Sequence, residues 1–189
     1  MSRLTLILGG ARSGKSRYGQ ELAAREAGGR PVLFIATAQA GDEEMEARIA
    51  RHQADRPAHW HTAEEPLDVA RLLRRERDTP IVLVDCLTFY VTNHLLRSGE
   101  AAHCEADVWD EVGTEAAVAD LLLAAQECEA RVIIVSNEVG LGLVPETALG
   151  RVWRDVAGRA NQAAAQAAHE VFFLVAGLPL RVKPPSGTL

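Results

Sequence analysis

The stretch from Leu4 to Ser16 constrains this chain more than any other. The apolar run Leu4-Thr-Leu-Ile-Leu8 stops at a glycine pair, and Gly9, Gly14, Lys15 and Ser16 follow at the G-x-x-x-x-G-K-[ST] spacing of a phosphate-binding loop. The spacing has a physical reason. Glycines let backbone N–H groups close around phosphate oxygens, and the N-terminus of the next helix adds a partial positive charge. The loop Gly9, Gly10, Ala11, Arg12, Ser13, Gly14, Lys15 and Ser16 is therefore read as a nucleotide cradle. Lys15 is expected to reach the β- and γ-phosphates and the Ser16 hydroxyl to bind Mg²⁺. A strand, a loop and a helix in this order predict a nucleoside triphosphate but not the reaction performed on it.

The remainder of the chain alternates strand and helix signals. Continuous apolar runs at Val32–Ala36, Ile81–Asp85, Val132–Val135 and Val171–Val175 read as strands buried on both faces. Helices are expected at Lys15–Ala27, Glu43–Ala54, Leu67–Arg77, Cys86–Leu96, up to Ala130, and over Glu146–His169. A short extended piece is expected around Trp60, and Leu180–Lys183 reads as an antiparallel return. The expected fold is α/β, a doubly wound, mostly parallel sheet with a C-terminal antiparallel strand. Residues 1–183 are read as one domain and 184–189 as a loose tail.

Bulk properties narrow the function classes. The 189 residues carry a formal net charge of −6, which argues against a nucleic-acid binder held by phosphate neutralisation. No apolar run approaches the roughly 18 residues of a membrane span, and the absence of a basic region followed by an apolar stretch leads us to expect no signal peptide. Cys86, Cys104 and Cys128 are scattered without C-x-x-C spacing. They fit reduced thiols, so a cytoplasmic protein is expected.

Several residues outside the loop carry chemistry. Asp85, an acid closing an apolar strand, has the Walker-B arrangement and is a second expected Mg²⁺ ligand. Thr37 and Gln39 follow the second strand, on the side where open α/β sheets bind ligands. His52 shares a helical face with Met45 and Ile49, where it could simply be packed. Arg48 and Arg51, however, make an anion-friendly setting in which a neutral imidazole could attack phosphorus. Ser136-Asn-Glu-Val-Gly140 is a polar strand exit on the ligand side, or a plain turn. Glu64 suits ribose hydroxyls or is a solvated charge, and Trp60 reads as packing. Arg151, Arg154 and Arg159 fit a solvated face, a phosphate contact or a subunit contact. Cys86 reads as a small buried residue. These residues alone leave open a monofunctional small-molecule kinase and a RecA-like ATPase module.

An ordered set of motifs goes further. Along the chain stand Gly9-Gly-Ala-Arg-Ser-Gly-Lys-Ser16, Ile35-Ala-Thr-Ala38, Arg48-Ile-x-x-His52, Arg56-Pro57, Trp60-x-Thr-x-Glu64, Asp85-Cys-Leu-Thr88 and Asn93. Ser136-Asn-Glu-Val-Gly140, Val144-Pro-Glu146, Arg154-Asp155, Gly158-x-x-Asn161-Gln162 and Gly177-Leu-Pro179 follow. Over about Leu4 to Lys183 the set resembles the bifunctional adenosylcobinamide kinase/adenosylcobinamide-phosphate guanylyltransferases of cobalamin biosynthesis.

The resemblance implies a RecA-like P-loop NTPase fold and two activities. One phosphorylates adenosylcobinamide from a nucleoside triphosphate, ATP or GTP. The other transfers GMP from GTP to adenosylcobinamide phosphate and releases pyrophosphate. The family's guanylylated histidine maps onto His52. Its nucleotide contacts map onto residues 9–16, onto Ala36, Thr37 and Ala38, onto Gln53 just after His52, and onto Glu64 and Asp85. Some relatives carry a second histidine before the one matched by His52; Arg51 stands there in this chain. Family members can form trimers, so a homo-oligomer is implied.

Overall fold

The computed structural model describes residues 3–39, 57–101 and 109–184. Seven strands form one sheet: β1 (Leu4–Gly9), β2 (Val32–Ala36), β3 (His61–Glu64), β4 (Ile81–Asp85), β5 (Arg131–Asn137), β6 (Glu170–Val175) and β7 (Leu178–Lys183). Five described helices connect them: α1 (Lys15–Ala27), α2 (Val69–Arg75), α3 (Leu87–Ala101), α4 (Glu111–Glu127) and α5 (Ala148–Ala167). The strand order is β3-β2-β4-β5-β1-β6-β7. Every pairing is parallel except that of β6 with β7. The mostly parallel, doubly wound sheet with an antiparallel C-terminal strand is thus the expected architecture.

The continuous apolar runs are explained by burial on both faces. Ile7, Leu83, Ile133 and Val135 pack with Leu22 and Ala23 of α1 on one side. Leu6, Val82, Val84, Val132 and Ile134 pack on the other side, against side chains of α2, α3, α4 and α5. Gly19 is what lets α1 lie so close to the sheet. A Cβ there would stand 3.0 Å from Val135 Cγ2 and 3.4 Å from Leu83 Cδ1.

Several boundaries differ from those expected. The extended piece after Trp60 is a full edge strand, parallel to β2, with Ala36 level with Glu64. β5 runs on through Ser136 and Asn137, so the polar exit begins inside the sheet. Ser98 and Gly99 do not end α3, which continues to Ala101. Helix α2 is shorter than its amphipathic pattern, and α5 starts two residues late because Thr147 caps it through Gly150 N. The final hairpin turns on Ala176 and Gly177 alone, with φ of 50° and 81°. This is the geometry of a two-residue type I′ turn. β7 therefore starts at Leu178 and takes in Pro179, which an edge strand tolerates. The expected helix at 43–54, Cys104, and all of the expected tail except Pro184 lie outside the described residues.

Candidate active site at the C-terminal edge of the sheet

The phosphate loop joins β1 to α1 as its spacing requires. Gly14 sits at the N-cap of α1 with φ of 89°, and Tyr18 N donates to Gly14 O at 2.9 Å to begin the helix. Gly9 must be glycine, because a Cβ would fall 2.4 Å from Ser13 Oγ and 3.0 Å from the Leu174 carbonyl oxygen. Lys15 is buried, and its ammonium donates to Gly10 O at 3.2 Å, across the loop. The Ser13 hydroxyl is buried with no hydrogen-bond partner among the described residues. A cradle that one methyl group would fill, containing an orphaned hydroxyl and a lysine, fits phosphate oxygens. The turn between β6 and β7 closes one side of the cradle, where Gly177 N donates to Ser13 O at 2.9 Å.

Asp85 meets the loop at the end of the sheet. Ser16 Oγ donates to Asp85 Oδ1 at 3.4 Å, although the two residues are 69 apart in the chain. One hydroxyl and one carboxylate suit Mg²⁺, which keeps waters and phosphate oxygens and needs few protein ligands. Ala36 is level with both Glu64 and Asp85 across β3, β2 and β4, so these residues share the edge that carries the loop. Glu64 is exposed at the outer end of that row.

Thr37 has a different part from the one its position suggests. It is fully buried, and its hydroxyl donates to Cys86 O at 2.7 Å and accepts from Cys86 N at 2.8 Å. Thr37 N donates to Asp85 O, and Asn93 Nδ2 donates to both Thr37 O and Pro66 O. Every polar group of Thr37 is engaged inside the protein, so it latches β2 to β4 and sets the position of Asp85. Gln39, two residues on, is exposed. The Asp85–Cys86 peptide bond is cis. Burial, reinforced by the Asp85 charge, pushes the Cys86 thiol up to about 11, which removes it as a nucleophile near neutral pH.

The exit of β5 holds a closed ring of hydrogen bonds. Asn137 N donates to Thr88 Oγ1 at 2.7 Å, and Thr88 and Ser136 hydroxyls lie 3.2 Å apart. Ser136 Oγ donates to Asn161 Oδ1 at 2.7 Å, and Asn161 Nδ2 returns to Asn137 O at 2.9 Å. Because the single Ser136 proton goes to Asn161, Thr88 is the donor in its contact with Ser136. Each member gives and takes in one direction. Glu138 N then donates to Gly9 O at 3.0 Å, joining this exit to the phosphate loop. Sequence reasoning noticed the polar exit but not its supports. The available signal was two lone polar residues, Thr88 and Asn161, on otherwise apolar helical faces.

The remaining candidates separate clearly. Trp60 is buried in the same core cluster as Phe34 and Ile81, in keeping with a packing role. Arg159 pairs with Glu111 and Glu115 of α4, and Arg151 donates to the carbonyls of Pro145 and Glu146. Arg154 lies near Leu143 O. This arginine series braces α5 and the loop before it. His52, Gln53, Arg48 and Arg51 lie outside the described residues.

Known proteins agree with this geometry. The chain superposes on the flagellar accessory protein FlaH of Methanocaldococcus jannaschii with a TM-score of 0.52 at 13% identity, covering 97% of this chain and 79% of that one. It superposes on a KaiC-like protein of Pyrococcus horikoshii with a TM-score of 0.51 at 12% identity, covering 90% and 70%. These likenesses establish the fold alone, the RecA-like P-loop α/β fold. The bifunctional adenosylcobalamin biosynthesis protein CobP of Pseudomonas aeruginosa is 50% identical over 179 residues, 94% of this chain and 96% of that protein. The bifunctional adenosylcobalamin biosynthesis protein CobU of Escherichia coli is 42% identical over 185 residues, 95% of this chain and 99% of that protein. Residues 5–182 match the family described as cobinamide kinase / cobinamide phosphate guanyltransferase, CobU. With a family match over residues 5–182, near-full-length relatives and a phosphate loop closed against Asp85, this chain belongs to the cobinamide kinase / cobinamide phosphate guanyltransferase family.

Proposed function

We propose that this chain runs two reactions of adenosylcobalamin biosynthesis on one phosphate cradle. In the first, a hydroxyl of adenosylcobinamide attacks the γ-phosphorus of ATP or GTP. The new O–P bond forms as the bond to the nucleoside diphosphate breaks. In the second, GMP passes from GTP to adenosylcobinamide phosphate, giving adenosylcobinamide-GDP and pyrophosphate. The observation that carries the reading is the Ser16–Asp85 contact beneath the Gly9–Ser16 loop, in a chain of this family.

Residue roles follow from chemistry. The loop amides and Lys15 bind the phosphate chain and stabilise charge that develops on its oxygens. Ser16 and Asp85 would hold Mg²⁺, which when bound neutralises charge on the phosphates. Thr37 holds the end of β2, leaving nucleotide contact there to the backbone around Ala36 and Ala38. Glu64 and Gln53 are assigned to the guanosine portion.

His52 supplies the second use of the nucleotide. An imidazole nitrogen attacks the α-phosphorus of GTP, the bond to pyrophosphate breaks, and the corrinoid phosphate then takes GMP from the histidine. Incubation with GTP labelled on the α-phosphate tests this. Acid-labile, base-stable label on the protein, absent from His52→Ala, is expected; equal labelling of the two would refute the covalent step. Label on the γ-phosphate should pass to adenosylcobinamide in the wild type.

The reading treats residues 1–183 as one catalytic domain and includes a homo-oligomer, with a trimer as the expected state. Exposed Leu178, Leu180 and Val182 on the edge strand β7 are the apolar surface such an assembly would cover. A molar mass by light scattering equal to one chain would refute the assembly. Among the described residues no helix is long and apolar enough to cross a membrane.

A further inference from the structure

Beyond the end of β5 the chain runs through Val139-Gly-Leu-Gly-Leu-Val-Pro145, a stretch without a single charged side chain. Its large apolar residues face water: Leu141 is 82% exposed, Leu143 96% and Val144 65%. An apolar cluster of this kind on a protein surface marks a contact with something else. The loop is nevertheless firmly held. Glu138 N donates to Gly9 O, the Glu138 carboxylate accepts from Gly140 N, and Val139 packs against the core. Arg151 donates to the carbonyls of Pro145 and Glu146, and Arg154 to that of Leu143. The backbone is fixed from both ends while the side chains stay bare.

Helix α5 decides where the loop stands. Asn161 meets Asn137 at the C-terminal edge of the sheet, and His169 N, just past the helix, reaches Leu4 O at the opposite edge. The second part of α5 therefore spans the sheet, and residues 148–160 rise beyond its C-terminal edge by roughly 20 Å. Arg151 and Arg154 lie on that overhang, so the loop they hold lines it above β5. Strand β5 lies between β1, which carries the phosphate cradle, and β4, which ends in Asp85. The cradle opens into α1 on one face of the sheet; α5 and the loop stand on the other. A nucleotide on the cradle thus leaves the α5 side of this edge to the second substrate.

We propose that Leu141, Leu143 and Val144 form the docking surface for the corrin ring of adenosylcobinamide and its phosphate. The inference rests on the reading under Proposed function. The chemistry of the loop matches this occupant. A corrin ring presents methyl groups and neutral carboxamide arms, and its acceptor group has to reach the bound nucleotide. The uncharged loop supplies apolar side chains for the ring. The amides of Leu141, Gly142 and Leu143, which meet no acceptor among the described residues, supply donors for the arms. The other bare apolar strip, on β7, is separated from β5 by β1 and β6 and is left to assembly.

The test is equilibrium dialysis of adenosylcobinamide, read by its visible absorbance, with Mg²⁺ and a non-hydrolysable GTP analogue present. Wild type is compared with Leu141→Ser, Leu143→Ser, the double variant, and Leu123→Ser, which alters an exposed leucine on α4. Losing the apolar contact of one leucine predicts roughly tenfold weaker corrinoid binding for each single loop variant and on the order of 100-fold for the double. KM for adenosylcobinamide in the kinase assay should rise by a similar factor. Affinity for the GTP analogue, melting temperature and molar mass by light scattering should match wild type. Unchanged corrinoid affinity in the double variant would overturn the proposal, as would equal weakening by Leu123→Ser or a parallel loss of nucleotide binding. A fall in molar mass on changing the loop would make it a subunit contact and would also overturn the proposal. Wild type that binds the GTP analogue but not adenosylcobinamide would refute the functional reading itself, and this surface with it.

Discussion

Replacing Ser136 with alanine gives the sharpest test of the ring at the end of β5. The hydroxyl is 2% exposed and makes two contacts, donating to Asn161 Oδ1 at 2.7 Å and accepting from Thr88 Oγ1 at 3.2 Å. Each bond contributes about 1 kcal/mol net, and its loss leaves the buried Asn161 carbonyl oxygen unsatisfied. The small cavity left by one oxygen adds little. A destabilisation of about 2–3 kcal/mol is therefore expected, which in a chain of this size lowers the melting temperature by roughly 5–10 °C. Urea denaturation should show a lower midpoint with an unchanged slope. Asn161→Ala should cost a similar amount, and the double variant should cost at least about 1 kcal/mol less than the sum, because each single change strands the other's partner. A loss below about 0.5 kcal/mol for Ser136→Ala, or strict additivity in the cycle, would refute the closed ring.

Three other outcomes follow from the same structure. Gly9→Ala places a methyl group 2.4 Å from Ser13 Oγ and 3.0 Å from the Leu174 carbonyl; the hydroxyl can rotate but the backbone cannot, so nucleotide affinity measured by titration should fall at least about tenfold. Lys15→Ala removes the buried ammonium that spans the loop, and both the kinase and the guanylyl-transfer rates should fall on the order of 100-fold or more, with the melting temperature close to wild type. Burial holds the His94 imidazole below its ordinary pKa, so on acidification the unfolded chain takes up the proton first; stability should be full above about pH 6.5 and drain away as pH falls toward the folded value, and His94→Gln should narrow the gap between melting temperatures at about pH 7.5 and about pH 5.5.

The site was legible to the extent that its chemistry is local. The cradle from Gly9 to Ser16 follows from spacing alone, since the turn, the helix start and the lysine all lie within this one short stretch. Asp85 was visible as an acid closing an apolar run, and the parallel sheet followed from runs that are apolar at every position. Thr37 shows the limit. Its place after β2 suggested a ligand contact, but its hydroxyl is taken up by Cys86, 49 residues away. Nothing near Thr37 in the chain announces that partner. The Arg151, Arg154 and Arg159 series could be read three ways until α4 supplied Glu111 and Glu115.

The set of elements and the nucleotide chemistry are local properties of the chain, because hydrophobic period, turn residues and loop spacing act over a few residues. The strand order, the Ser16–Asp85 contact and the ring around Asn137 arise from packing between distant segments. A buried polar group is satisfied by whichever partner the folded sheet and helices bring within about 3 Å, and that partner can come from any distance along the chain.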